Sequence, residues 1–311
     1  QGPVMPLVYA LAHPLVAVWG VAGGRLFTFI LGLAAALLTA WFAARLAGGE
    51  RARPAALLAF VLIAVNVSQS YFTTVVKTYA LSSLFIGTGF LLLTVRNTKW
   101  ARGAALLAAT AFVLAAGVRI SAAVILPAAA LYLWVQRGAR PGQWLWFSIG
   151  AGIAAAALFL PFYFLARDSF LFGLFKYHAL RHVEGGFKTW CMYRAAFVSR
   201  MVQAYYPACM VLVGLAVAWW IRRRDAEPRA VPAGSLAWAG WVSVIAVTLV
   251  HGAAPVPYDD YQAMIYPLAA ALLAAGLVVA VPDMRNLRPL IVGIGILAVA
   301  SSFASPINQE W

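Results

Sequence analysis

Long apolar runs, punctuated by basic residues and each close to bilayer-crossing length, constrain this chain more than any other feature. A helix crossing about 30 Å of hydrocarbon needs roughly 17–25 mostly apolar residues. Ten intervals meet or approach that length: 23–46, 55–76, 79–95, 103–118, 120–136, 144–166, 203–221, 235–251, 262–281 and 289–305. Of the 311 residues, 64% are hydrophobic and 10% charged, against about 45–50% and 25% in soluble domains. One soluble core cannot bury that much apolar surface. This excludes a soluble enzyme, a disordered chain and a disulfide scaffold. The expected fold is all-α, a polytopic transmembrane bundle of about ten spans. Some runs are separated by one to three residues, as at Lys77-Thr78 and Arg119. These junctions predict tight hairpins buried in protein, because lipid cannot satisfy a turn's backbone groups.

The 23 basic and nine acidic residues give a net charge of +14. In a soluble protein that balance suggests nucleic acid; here the cations sit between apolar runs, and no nucleic-acid partner is expected. Taking alternate connections collects 14 of them: Arg45, Arg51, Arg53, Arg96, Lys99, Arg102, Arg137, Arg140, Arg222, Arg223, Arg224, Arg229, Arg285 and Arg288. Short basic loops stay inside, so this set is expected to be cytoplasmic and the other nine cations external. The expected organisation is an external juxtamembrane segment at 1–22, transmembrane helices at 23–166, an external loop at 167–202 and further transmembrane helices at 203–311. Residues 1–22 are apolar but interrupted by Pro3, Pro6 and Pro14, which predicts a helix lying in the outer interface. The chain opens with no initiator Met and no signal-peptide pattern.

Ionisable residues near a span are functional candidates because their desolvation is costly. Lys77 stands beside Tyr79 at one outer hairpin, Arg119 at the next, and Arg25 at the outer start of the first span. Three cations at one depth suit an anionic site such as a lipid phosphate; the plainer alternative is that each snorkels to headgroups. The stretch Phe170 to His182 predicts an amphipathic interfacial helix with Phe170, Leu171, Leu174 and Phe175 on its apolar side. Lys176, His178, Arg181 and His182 then form a cationic rim. His178 and His182 have a metal-compatible spacing but no evident third ligand, so no metal site is assigned. Tyr258-Asp259-Asp260-Tyr261 offers adjacent carboxylates that suit a metal, a sugar hydroxyl or neutralisation of those cations, or simply a helix start favoured by the dipole. Cys191 and Cys209 both fall on the outer side, where an oxidising compartment would allow pairing. No dinucleotide fingerprint, P-loop, His-Glu-x-x-His or nucleophile elbow is present, and Gly150 to Ala157 reads as close helix packing.

Several dispersed pieces resemble a known family: Pro6 to Tyr9 followed by Gly24-Arg25-Leu26; Val76-Lys77-Thr78-Tyr79-Ala80-Leu81; Gly117-Val118-Arg119; Phe175-Lys176-Tyr177-His178; and Tyr261 to Ala275. In this order they resemble membrane glycosyltransferases of the GT-C class, the superfamily of protein O-mannosyltransferases and lipid A aminoarabinose transferases. The second piece matches an Arg-x-Tyr-x-Leu hairpin with Lys in place of Arg. The resemblance implies transfer of a sugar from a polyprenyl-phosphate donor to a lipid, glycan or protein acceptor on the outer face of a bacterial inner membrane. Lys77, Tyr79, Arg119, Arg25, Lys176, His178, Arg181 and His182 would hold the donor phosphate. No cofactor is expected, and a divalent metal stays open. The resemblance also implies an acidic base in the first external loop, yet no acid precedes Glu50. Gln1 would correspond to the end of that loop, so the first span and the base are expected upstream. Otherwise the catalytic residue is unassigned, with Asp259 and Asp260 as weak candidates.

Two alternatives belong to other classes. A transporter or flippase of an anionic amphiphile would show charges at mid-span and discontinuous helices. A non-catalytic membrane subunit of a larger complex, with membrane-protein partners, would lack the acid altogether.

Overall fold

The computed structural model describes residues 2–96, 98–138, 141–180, 186–225, 235–281 and 287–304. Every regular element among them is helical. The first half comprises α1 (Val4–Tyr9), α2 (His13–Trp19), α3 (Val21–Ala47), α4 (Ala52–Ala64), α5 (Val67–Thr74), α6 (Tyr79–Leu92), α7 (Thr98–Val118), α8 (Ile125–Val135) and α9 (Gln143–Leu165). The second comprises α10 (Arg167–Leu171), α11 (Tyr177–Leu180), α12 (Gly186–Ala204), α13 (Tyr206–Asp225), α14 (Leu236–Ala253), α15 (Tyr266–Ala280) and α16 (Leu287–Ala304).

A helix lies in each of the ten expected intervals, but ten crossings do not follow from their lengths. Among the described residues four helices are long and apolar enough to cross a membrane, or up to six if each of two bent pairs is one span. The 14 residues of α6 rise only about 21 Å, short of the hydrocarbon thickness. Apolar composition made α6 look longer, because Leu93 to Val95 continue the run after the helix has ended in turns. The helix expected over 170–182 is present in its described part: Arg167–Leu171, a π-helical turn at Phe172–Lys176 and Tyr177–Leu180 follow one another without a break. Beyond it α12, which was not expected, fills most of the remainder of 167–202.

Packing follows composition. Phe42 of α3, Phe90 of α6, Phe112 of α7 and Phe147 of α9 form a buried ladder, with successive ring centroids 5.6, 5.2 and 6.2 Å apart. Gly150 lets α9 approach α7 closely: a Cβ there would stand 2.6 Å from the Leu106 carbonyl oxygen. This is the small-residue contact that lets helices meet where lipid provides no hydrophobic drive.

Two helix pairs are sharply bent, and the bends meet. Gly49–Ala64 and Val67–Thr74 diverge by 73°, and Gly186–Ala204 and Tyr206–Ala216 by 88°. Each break frees backbone groups that lipid cannot satisfy. Asn66 is extended (φ −78°, ψ 111°) and caps α5 by accepting from the Gln69 amide at 2.7 Å. Its own amide donates to the Ala204 carbonyl, the last of α12, at 2.8 Å. Two carbonyls near the end of α4 are also covered: Tyr266 donates to Leu62 at 2.8 Å and Ser70 to Ala64 at 3.0 Å. Tyr205, between α12 and α13, stacks on Tyr266 with centroids 4.2 Å apart. Asn66 therefore joins both breaks.

Replacing it removes a cap and leaves a buried carbonyl unpaired, each worth about 1–3 kcal/mol. We expect Asn66→Ala to destabilise the chain by about 2–4 kcal/mol, while Ser235→Ala, which removes only the cap of α14, costs about 1 kcal/mol. Unfolding in mixed micelles measures both; equal effects would mean that the link between the breaks contributes nothing.

Candidate functional site

The site gathers where α6, the turn after α7, α12 and the segment before α15 reach one end of the bundle. Val75–Thr78 joins α5 to α6 and presents Lys77. Arg119 is extended (φ −140°, ψ 117°), which turns the chain between α7 and the 3-10 turn Ile120–Val124. The amino-terminal helices brace both junctions: Tyr9 donates to the Lys77 carbonyl at 2.8 Å, and the Gly2 amide donates to the Val118 carbonyl at 3.1 Å. Gly2 lies so close to the Gly117 backbone that no larger side chain fits.

Asp260 organises the cluster. It lies in the first turn of the 3-10 segment Asp259–Met264. Its Oδ2 accepts from the Tyr79 hydroxyl at 2.5 Å and faces Lys77 Nζ at 3.5 Å. The Lys77 ammonium is also 5.7 Å from the Phe72 ring and 5.8 Å from the Tyr79 ring. The Arg119 guanidinium lies between two aromatic faces, 4.9 Å from the Tyr79 centroid and 4.5 Å from that of Tyr261, and Nη1 donates to Thr78 Oγ1 at 3.2 Å. Stacking fixes its plane and leaves its remaining N–H groups at the cluster. Asp259 faces Arg200 Nε of α12 at 3.5 Å. Arg194, one turn and a half earlier, donates to the Ala254 and Pro255 carbonyls at 2.9 and 3.3 Å, covering the carboxyl end of α14.

Beneath these charges runs a neutral chain of polar groups. His251 Nε2 is 2.9 Å from Ser121 Oγ, and its Nδ1 faces the Gln262 side-chain amide at 3.3 Å. Thr248 donates to Gln262 Oε1 at 3.1 Å. An amide nitrogen can only donate, so this network assigns the imidazole proton to Nε2 and makes Ser121 its acceptor. The chain ties α14, the turn after Arg119 and the segment carrying Asp260 to one another. Gln69 and Ser83 hold the same segment from the other side, through the Ala263 carbonyl at 3.0 and 3.2 Å.

Of the residues singled out in the sequence, Lys77, Tyr79, Arg119, Asp259 and Asp260 stand in this cluster. Arg25 is exposed on α3 and Lys176 is exposed in the π-helical turn; neither makes a contact to the cluster among the described residues. The side chain of His178, and Arg181 and His182 altogether, lie outside the described residues. Among the described residues no three His, Cys, Asp or Glu side chains converge to hold a metal, and Cys191 and Cys209 are free thiols. Sequence reasoning passed over Tyr261, Arg194, Arg200 and the His251–Gln262 pair as site residues. His251 carried a usable signal, since it is an ionisable residue closing an apolar run.

No family model matches the sequence, and no curated protein matches it. The three-dimensional arrangement does have a counterpart. The crystal structure of ArnT from Cupriavidus metallidurans, bound to undecaprenyl phosphate, aligns with a TM-score of 0.67 and 16% identity over 98% of this chain. The chain spans about half of that structure, 55% of its length. The fold is GT-C-like. At that identity the likeness is one of architecture, and the residues of the site stand on their own geometry.

The buried polar chain gives a direct test. Removing the imidazole takes one hydrogen bond from the Ser121 hydroxyl and leaves the Gln262 amide nitrogen without its acceptor, about 1–3 kcal/mol for a buried group. His251→Leu is therefore expected to lower thermal stability in detergent, and His251→Asn, which can still accept from Gln262, to recover part of the loss. An unchanged melting temperature for His251→Leu would show that the network carries no energy.

Proposed function

We propose that the chain is the transmembrane part of a glycosyltransferase that takes a sugar from a polyprenyl-phosphate donor and passes it to a lipid, glycan or protein hydroxyl. One observation carries the reading: in a GT-C-like bundle, two cations from separate inter-helix junctions, Lys77 and Arg119, are held together by Asp260, Tyr79 and Tyr261. In this reading the cluster faces the outer side of a bacterial inner membrane, with residues 167–202 on the same side. The donor phosphate meets Lys77 and Arg119, and both cations stabilise the lipid phosphate as its bond to the sugar breaks and negative charge develops there. The bound undecaprenyl phosphate of ArnT supports a polyprenyl lipid as the partner. Asp259 and Asp260, each facing a cation, serve as counter-ions.

The two sharply bent helix pairs support a second reading, since discontinuous helices are what a transporter of an amphiphilic anion would show. The fold likeness favours transfer over transport. Product chemistry separates them: transfer forms a new glycosidic bond detectable by mass spectrometry, whereas transport moves the intact lipid between leaflets.

Lys77→Ala and Arg119→Ala are each expected to weaken binding of polyprenyl phosphate by about tenfold or more, as loss of one charge-assisted contact implies, with the helical fold retained. Binding measured in lipid nanodiscs checks this, and unchanged affinity in both variants would remove these residues from the site.

A further inference from the structure

The site has a charge count that its ligand must match. Among the described residues, Lys77 and Arg119 are the cations gathered around Tyr79, and Asp260 offsets one of those two charges. Arg200 faces Asp259, and Arg194 keeps its charge while it donates to the carbonyls of Ala254 and Pro255. Within the group formed by Lys77, Arg119 and Asp260 the balance is one net positive charge.

Asp260 is built to stay. Its Oδ2 holds Tyr79 and Lys77, its side chain is only 16% exposed, and its Oδ1 is buried without a hydrogen-bond partner. Lys77, at 47% exposed, remains reachable from outside. An anion arriving at Lys77 thus meets an ammonium that already faces a carboxylate 3.5 Å away. Like charges that close, away from bulk water, repel strongly.

The two lipids of the proposed reaction differ in this respect. A sugar-bearing polyprenyl phosphate is a phosphodiester with one negative charge. The lipid left after transfer is a monoester, which carries about −1.5 to −2 near pH 7. In the step itself the acceptor oxygen bonds to the anomeric carbon and the carbon–oxygen bond to phosphate breaks. Its electron pair stays on the phosphate oxygen, and the acceptor proton passes to a carboxylate base or to water. The phosphate gains one negative charge.

We propose that Asp260 sets the charge specificity of the site, so that it holds the singly charged donor more tightly than the doubly charged product, which still binds. Bond cleavage then itself weakens binding and promotes release of the lipid phosphate. This rests on the lipid-phosphate reading above and adds to it which phosphate the site prefers, and why.

The test compares polyprenyl phosphate with its methyl phosphodiester, two lipids that differ in charge but carry no sugar. Binding is measured to the full chain in nanodiscs of neutral lipid at pH 8, where the monoester is a dianion. The wild type is expected to bind the diester at least as tightly as the monoester. Asp260→Asn should strengthen monoester binding about tenfold and diester binding less than about threefold, and Asp260→Glu should restore the wild-type ratio. A wild type that binds the dianion more than about tenfold tighter than the diester overturns the proposal without recourse to any variant. So does an Asp260→Asn variant that shifts both lipids equally; the lipid-phosphate reading would survive that result. If the wild type binds neither lipid better than a neutral polyprenol, both ideas fall together.

Discussion

The structure depends on how it satisfies backbone groups where apolar helices stop inside the bundle. An intact helix closes its own hydrogen bonds, but a broken span exposes amides and carbonyls to hydrocarbon, where each costs several kcal/mol. Here the two breaks are placed against each other. One side chain, Asn66, caps the helix that restarts after the first break and takes the last carbonyl of the helix that stops at the second. Tyr266 and Ser70 cover carbonyls left by α4. Bends of 73° and 88° are thereby accommodated with side-chain hydrogen bonds in place of the missing helical ones. The bends bring α5 and α12, and with them Lys77 and Arg200, toward the segment that carries Asp259 and Asp260.

The charges at that end obey a related constraint. A cation taken partly out of water needs a partner or a π face. Lys77 has both, a carboxylate and two rings; Arg119 has two rings and a hydroxyl. Each acid faces a cation brought by a different element, Asp260 with Lys77 and Asp259 with Arg200. The neighbouring carboxylates thus act as two links from one short segment to two sides of the bundle. Of these groups, Lys77 combines a firm position with substantial exposure, which is what binding an outside anion demands.

Helix class and the approximate intervals were legible because apolar runs of this length have few other solutions. Element ends were less legible. Hydropathy cannot distinguish a helix from the apolar turns that follow it, as at Leu93 to Val95, and it read 55–76 as one span because Asn66 and Gln69 are too few to lower the average. Asn66 was in fact the local mark of the break, a strong cap residue in the middle of an apolar run. Within the site, Lys77, Arg119 and the Asp pair stood out by charge alone. Their mutual geometry did not, since 181 residues separate Tyr79 from Asp260 and no periodicity links them. Within 167–202, α12 was less legible, because Arg194 and Arg200 give its sequence a mixed character; both side chains help dock that helix, beside the buried Phe197.

The connection from breaks to charges runs through one short stretch of backbone. Asn66 fixes the start of α5; Gln69, in the first turn of that helix, holds the Ala263 carbonyl, and Ser83 holds both Ala263 and Met264. Gln262 in the same stretch is held by Thr248 and His251. The segment from Asp259 to Met264 is thus pinned on two sides by neutral hydrogen bonds before its carboxylates meet any cation. That order has a physical consequence. Because the backbone is set by neutral bonds, the pairing of Asp260 with Lys77 is not needed to hold the segment in place, and that is the condition the proposed charge selectivity of Asp260 requires.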